Sequence, residues 1–161
     1  MTEEYAIILR RLMALCSRSE KSEYDAREYM QRHGASEEEA ARAVEYLVEN
    51  KFVDNERFAD SFAADKFRFA KWGAYQIAAA LKQKQIPGDL IAAALDKAID
   101  TEREKKTVAN EMAKKLRGID NTESKPQVWQ KLLRFGAARG YRADICNDII
   151  GQMLADYQER G

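Results

Sequence analysis

Apolar residues recur every three or four positions along most of the chain, the spacing of one face of an α-helix. Ser22 and Ser36 are each followed three residues later by an acidic residue, which predicts helix N-caps with capping boxes. Helix stops are predicted at His33-Gly34, Ile86-Pro87-Gly88 and Arg139-Gly140. No run of alternating β-branched residues indicates a strand. The pattern therefore predicts an all-α protein.

The three predicted stops can be superposed by making Ala35, Ile86 and Tyr141 equivalent. Counted from these three residues, five offsets give equivalent positions: nine and five residues before, and five, nine and thirteen residues after. Apart from Gly136, the residues there are all apolar: Ala26, Ile77, Leu132; Met30, Leu81; Ala40, Ile91, Cys146; Val44, Leu95, Ile150; Val48, Ile99, Leu154. A longer helix is predicted before each pair, at residues 5–17, 56–71 and 102–117. We therefore predict three tandem three-helix units, 1–53, 54–101 and 102–161, forming an elongated, curved array. One irregular helical bundle is the alternative.

Length and composition favour a folded cytoplasmic protein. Of 161 residues, 45% are hydrophobic and 34% charged, and charges interrupt every apolar run well before the ~20 residues of a membrane-spanning helix. The first residues are acidic and lack the layout of a signal peptide. Cys16 and Cys146 are far apart, which suits a reducing compartment. We expect no contact with a membrane and a monomer, since a short array needs no partner to fold.

Few residues have the pattern of a reactive site. His33 is the only histidine, whereas a zinc site needs about four nitrogen or sulfur ligands. Neither cysteine has a catalytic base in its sequence context, and no glycine-rich phosphate loop is present. We therefore expect no cofactor, no metal and no catalysis. An enzyme of unknown type remains a third class of function.

Charge is unevenly distributed, although 27 basic and 27 acidic residues balance. Residues 66–88 and 125–142 contain no acidic residue and carry interleaved aromatic residues: Phe67, Phe69, Trp72 and Tyr75 in the first window, Trp129, Phe135 and Tyr141 in the second. These windows predict a basic, aromatic stripe that binds nucleic-acid phosphates or an acidic protein groove. Its candidate residues are Lys66, Arg68, Lys71, Lys82, Lys84, Lys131, Arg134 and Arg139. Alternatively, the aromatic residues are core and the lysines form a solvated face.

The middle of the chain resembles the RecX family. The resemblance rests on Asp54-Asn55-Glu56-Arg57-Phe58-Ala59, Lys71-Trp72-Gly73, and the helix from Ile77 through Leu81 to Lys84 and Ile86. Arg18-Ser19 through Gly34, and Phe135, Arg139-Gly140-Tyr141 and Ile145, are similar to the outer units of the family. The chain departs from the family pattern at Asn55, Trp72, Ala80, Gln85 and Gly136, with Gln85 in place of a turn glycine.

The resemblance implies regulation by binding. RecX proteins are tandem three-helix proteins that bind the RecA filament on single-stranded DNA and inhibit its recombinase and co-protease activities without catalysis. It also makes Arg57 a candidate contact. We expect Arg57 to pair with a carboxylate such as that of Asp54 or to help a helix terminus, while Phe58 packs into the junction of the first and second units. The alternative function is a stand-alone helical DNA-binding protein, which is usually distinctly basic.

Overall fold

The all-α prediction is confirmed. A computed structural model describes residues 2–157, and this range contains helices and turns but no strand. None of the helices in this range is long and apolar enough to cross a membrane. The helices are α1 (Glu3–Cys16), α2 (Glu23–Arg32), α3 (Glu37–Glu49), α4 (Asn55–Arg68), α5 (Ala74–Gln83), α6 (Gly88–Ala98), α7 (Thr101–Arg117), α8 (Lys125–Arg139) and α9 (Ala143–Met153).

Short polar side chains cap the helix starts. Both predicted capping boxes are present, with the Ser22 and Ser36 hydroxyls accepting from N–H groups three residues on at 3.0 and 3.1 Å. Thr2, Asp100 and Ser124 accept in the same way at the starts of α1, α7 and α8. Each cap satisfies an N–H group that the helix itself leaves without a partner.

The three superposed helix stops share one backbone geometry. The residue before each equivalent position has a positive φ: 105° at Gly34, 59° at Gln85 and 84° at Gly140. The next N–H group donates to the carbonyl five residues back at 3.0–3.2 Å, from Ala35 to Met30, from Ile86 to Leu81 and from Tyr141 to Gly136. This bond is typical of the Schellman motif that ends helices. The repeat predicted from spacing is therefore present in the backbone.

Most superposed apolar positions are buried, and the exceptions are Val48, Ile91, Leu95 and Ile99. Ala26, Ile77 and Leu132 are completely buried at one equivalent position, as are Met30 and Leu81 at another. Val48, however, is 40% exposed, because its neighbour Leu47 takes the core position before the chain turns at Lys51. Leu95 is also partly exposed, because Ala94 is the fully buried residue beside it.

Helix α4 ends at Arg68 and not at the predicted residue 71. Lys71 has a φ of 62°, which cannot continue a right-handed helix. Its Nζ donates to the Arg68 carbonyl at 2.7 Å, and the Trp72 N–H donates to the Lys66 carbonyl at 3.0 Å. These two bonds satisfy carbonyls at the end of α4.

The chain forms two compact units. Unit 1 contains the residues up to Phe62 together with Leu81–Ala94, and unit 2 contains Ala63–Ala80 together with the residues from Leu95 onward. Leu12, Met30 and Leu47 are central to the core of unit 1, and Met112, Leu132 and Ile150 are central to that of unit 2. The division into 1–53, 54–101 and 102–161 follows the repeat and stays a prediction.

Replacing Gln85 with glycine is expected to raise the free energy of unfolding by about 0.5–1 kcal/mol. Glycine adopts a φ of 59° without the steric cost of a side chain, and this gain exceeds the entropy that it adds to the unfolded chain. The hydrogen bond from Arg27 to the Gln85 side chain is exposed, so its loss costs little. Urea denaturation measures the change. As the control, Ala79→Gly inside α5 should lower stability by about 0.5–1 kcal/mol, and a destabilising Gln85→Gly would contradict the expectation.

Candidate functional site

The predicted binding residues are divided between the two units. Arg57, Lys82 and Lys84 lie in unit 1. The other six lie in unit 2: Lys66, Arg68, Lys71, Lys131, Arg134 and Arg139. One stripe through both windows therefore stays a prediction, and the contacts of each residue are described within its own unit.

In unit 1, two of the three candidates pair with carboxylates. Arg57 Nε donates to both oxygens of Glu20, at 3.1 and 3.2 Å. Lys84 Nζ lies 2.5 Å from Asp25 Oδ1 and 5.6 Å from the centre of the Tyr24 ring. Lys82 is exposed and has no side-chain partner within the described residues. Arg57 and Lys84 therefore have structural roles in addition to any binding.

The partner of Arg57 differs from the predicted example. The carboxylate that it contacts is that of Glu20, whereas Asp54 Oδ1 accepts the backbone N–H groups of Glu56 and Arg57 at 2.8 and 3.1 Å. Asp54 therefore begins α4 as its cap. Phe58 is 8% exposed, which agrees with a packed side chain, while its place at the junction of the first and second predicted units stays a prediction.

In unit 2, the turn after α4 packs against the turn after α8. The Gly73 N–H donates to the Arg139 carbonyl at 2.6 Å, and the Tyr141 hydroxyl donates to the Lys71 carbonyl at 2.5 Å. Burial raises the pKa of Tyr141 to about 12. The phenol therefore remains a donor throughout the neutral range. These bonds bring Lys71 and Arg139 together, although they come from different sequence windows.

The acidic residues of α7 are mostly buried in unit 2. Glu104 is 4% exposed and accepts from Arg142 Nε at 2.9 Å, and Glu111 is 7% exposed and accepts from Arg139 Nη1 at 3.0 Å. Lys114 Nζ lies 3.2 Å from Glu111. Glu102 is thus the only exposed carboxylate of α7, beside six basic residues of the same helix. The face that α7 presents to solvent is therefore basic.

Burial alone would raise the pKa of Glu111, but hydrogen bonds from Lys114 and Arg139 hold it below its usual 4.5. A lowered pKa in the folded state means that ionised Glu111 stabilises the fold above pH ~4.5, and that this contribution is lost as the pH falls through the folded-state value. We expect the stability difference between wild type and Glu111→Gln to be constant from pH 7 to about 5 and to shrink below that. Urea denaturation across pH measures it. A difference that grows on acidification would contradict this.

An open groove, here called the α7 groove, lies along the basic face of α7 in unit 2. Its volume is about 530 Å³, and it is lined by Ala64, Phe67, Arg68, Lys71, Lys97, Ala98, Arg103, Lys106 and Thr107. Five of these residues are basic, and no carboxylate from the described part of the chain lines it. Lys71 and Thr107 also line an adjoining recess of about 270 Å³ that includes Lys114 and Arg117. Glu111 lines this recess too, with its carboxylate paired to Lys114 and Arg139.

The groove contains two predicted residues and three that the sequence analysis missed. Arg68 and Lys71 were predicted, whereas Lys97, Arg103 and Lys106 were not. They were missed because only acid-free windows were considered, and acidic residues lie close to all three in sequence. Helical periodicity carried the missing signal: Glu104 and Glu111 are four residues before and three after Val108, on the buried face.

Lys131 and Arg134 lie at a different recess of unit 2, of about 600 Å³, whose lining includes Asp120 and Glu123. Lys131 pairs with Glu123, while Arg134 is exposed and without a side-chain partner in the described residues. Because this recess contains both signs of charge, it is less suited to an anionic polymer than the α7 groove.

The interleaved aromatic residues have different environments. Phe67 and Tyr141 are buried, and Trp129 and Phe135 pack against the core of unit 2. Lys66 Nζ lies 4.7 Å from the centre of the Trp72 ring, a cation–π contact. Phe69 and Tyr75 are instead 69% and 65% exposed. The core alternative therefore holds for the first four, while Phe69 and Tyr75 remain available for contact.

Neither thiol has the lowered pKa of a nucleophilic cysteine. Burial raises the pKa of both Cys16 and Cys146, which keeps the thiols neutral near pH 7. Across residues 2–157, no group of three or more His, Cys, Asp or Glu side chains is arranged to hold a metal ion.

Comparison with known proteins supports the family resemblance. Residues 54–95 match the model of the RecX second three-helix domain. The regulatory protein RecX of Clostridium botulinum (strain Alaska E43 / Type E3) is 32% identical over 138 residues, which are 85% of this chain and 64% of that protein. The chain thus spans somewhat less than two thirds of that relative's length.

Two solved structures share the fold. A crystal structure of a regulatory protein RecX matches with a TM-score of 0.80 at 19% identity, over 96% of this chain and 72% of the other. The crystal structure of RecX from Lactobacillus salivarius matches with a TM-score of 0.71 at 16% identity, over 96% of this chain and 99% of the other. The chain is thus similar to the RecX family in sequence over most of its length, and it shares the fold of the two RecX structures.

Proposed function

We propose that this chain is a regulator of the RecA recombinase that binds the RecA filament on single-stranded DNA and inhibits recombination and co-protease activity without catalysis. The observation that carries the proposal is its similarity, over 85% of its length, to a protein named regulatory protein RecX. The proposal includes action in the cytoplasm, as a monomer and without a cofactor.

The surface of unit 2 supports binding in preference to catalysis. The α7 groove is open and basic, and the two cysteine thiols are neutral. A filament of RecA on DNA offers both phosphates and acidic protein surfaces to such a groove. The carboxylates of unit 1, including Glu37, Glu38 and Glu39 at the start of α3, offer a surface of opposite charge.

The test is to add the purified chain to RecA assembled on single-stranded DNA. We expect the chain to sediment with the filament and to lower both strand exchange and RecA-stimulated repressor cleavage as its concentration rises. RecA without DNA, and DNA without RecA, are the controls for sedimentation. Unchanged strand exchange and cleavage at a saturating concentration of the chain would contradict the proposal.

The acid-free lining of the α7 groove also favours the second candidate, a stand-alone DNA-binding protein. Such a protein would affect RecA only by competing for DNA. Its inhibition would then disappear when single-stranded DNA is in excess over both proteins, whereas inhibition through the filament would persist. Repeating the strand-exchange assay at increasing DNA concentration distinguishes the two functions.

A further inference from the structure

The α7 groove has the charge of an anion-binding site. Arg68, Lys97, Arg103 and Lys106 are exposed around it, and Lys71 is partly exposed. Arg103 Nε lies 3.4 Å from Asp100 Oδ2, but both side chains are well exposed. Asp100 therefore competes only weakly with an anionic ligand for Arg103. Glu104 is buried and paired with Arg142, and Glu111, which lines the adjoining recess, is paired with Arg139 and Lys114, so neither carboxylate opposes an anion with a free charge.

The basic face is long enough for a polymer. Beyond the groove it continues through the adjoining recess to Lys114 and Arg117. From Arg103 to Arg117 the helix advances by about 21 Å at 1.5 Å per residue. At ~3.4 Å per phosphate, the spacing along one strand of a duplex, this length matches about six phosphates, and it matches fewer of a more extended single strand. A strand of nucleic acid therefore fits the face better than an isolated phosphate.

An exposed aromatic ring stands next to the groove. The guanidinium carbon of Arg68, which lines the groove, is 5.3 Å from the centre of the Phe69 ring, and Phe69 is 69% exposed. Bases of a single strand have free faces that stack on such a ring, whereas the bases of a duplex are already stacked on one another. Phe69 therefore favours a single strand over a duplex.

We propose that the α7 groove binds the phosphates of single-stranded DNA directly, with Phe69 stacking on a base at its edge. The inference deepens the proposed function and rests on it for the setting, because single-stranded DNA is the polymer of the RecA filament. In this proposal, α7 and the end of α4 are the parts of the chain that contact the DNA.

The experiment uses the full chain and a short fluorescein-labelled oligothymidylate without RecA, with fluorescence anisotropy recorded over a range of salt concentrations. If the five basic residues of the α7 groove each neutralise one phosphate, the plot of log binding constant against log salt concentration should have a slope of about −3.5. The triple variant Arg68→Gln, Arg103→Gln, Lys106→Gln should reduce the magnitude of the slope by about 2. Phe69→Ala should weaken binding by about 5- to 150-fold with the slope retained, because stacking releases no counterions.

Matched controls separate the site from general effects. The triple variant Arg10→Gln, Arg18→Gln, Lys125→Gln removes the same charge from exposed residues that lie outside α7 and do not line the groove, and should keep the wild-type slope. Tyr75→Ala removes a ring that is similarly exposed but does not line the groove, and should leave affinity unchanged. Circular dichroism checks that each variant remains helical.

Three results would overturn the inference. They are no binding of oligothymidylate by the wild type at low salt, equal slopes for the two triple variants, and equal affinities of Phe69→Ala and Tyr75→Ala. A groove variant that binds oligothymidylate normally but no longer sediments with RecA filaments would also overturn it, in favour of an acidic RecA surface. If oligothymidylate binding behaves as expected but RecA activities do not change, the proposed function fails while the DNA-binding groove stands.

Discussion

Replacing Gly140 with alanine is expected to lower the free energy of unfolding by about 2–5 kcal/mol. The φ of 84° costs a non-glycine residue about 1–2 kcal/mol. A Cβ at this position would also lie 2.3 Å from the backbone nitrogen of Gln76, so α5 or the turn must move, which adds about 1–3 kcal/mol. Urea denaturation followed by circular dichroism measures the loss.

Three other glycines separate these two causes. Gly34 has a φ of 105° but open space around its Cβ position, so Gly34→Ala should show only the conformational cost. Gly73 has the steric conflict without a positive φ, because its Cβ would lie 2.4 Å from the carbonyl carbon of Gly140. Gly88 has neither a positive φ nor an atom close to its Cβ position, so Gly88→Ala should leave the free energy of unfolding nearly unchanged. A loss at Gly140 no larger than that at Gly34 would show that the turn relaxes easily.

The close approach of Gly73 and Gly140 matters for the proposed site. It allows the Gly73 N–H to reach the Arg139 carbonyl and the Tyr141 hydroxyl to reach the Lys71 carbonyl. The first bond places the end of α8, from which Arg139 pairs with Glu111 of α7. A Cβ at either glycine therefore disturbs the turn that holds Lys71 at the groove, in addition to destabilising unit 2.

The helices and their register were predictable because the signals are local. A Ser three residues before an acidic residue, or a glycine after an apolar run, determines a cap or a stop by bonds within one turn. Gln85 shows the limit of this reasoning. Its identity alone does not indicate a positive φ, and only superposition on Gly34 and Gly140 places it at the same turn.

The α7 groove was only partly predictable because its charge is decided by tertiary pairing. In the sequence, Glu104 and Glu111 lie among lysines and arginines, so counting charges along the chain subtracts them from this positive charge. In the fold, Arg142 and Arg139 neutralise both carboxylates away from solvent. Conversely, the acid-free window at 125–142 predicted Arg139 as a binding residue, although its guanidinium pairs with the buried Glu111. Charge counting along the sequence misassigns both partners of each pair.

Leu81→Ala is expected to lower the free energy of unfolding by about 2–5 kcal/mol, the usual range for truncation of a fully buried leucine. Leu81 has no exposed surface, and its carbonyl accepts the Ile86 N–H that ends the α5 turn. Leu81 therefore stabilises this helix stop twice, through its buried side chain and through its carbonyl. Urea denaturation measures the loss, with near-wild-type helicity required before unfolding.

Leu95 and Val48 test how closely the repeats match in packing. Both occupy superposed apolar positions, but Leu95 is partly exposed and Val48 is 40% exposed. Leu95→Ala should therefore cost about 1 kcal/mol, because less apolar surface is lost from the core. Val48→Ala should change stability by less than about 0.5 kcal/mol. Equal losses at Leu81, Leu95 and Val48 would mean that sequence register alone sets packing, whereas a graded series follows from neighbouring residues, Ala94 and Leu47, taking the core positions.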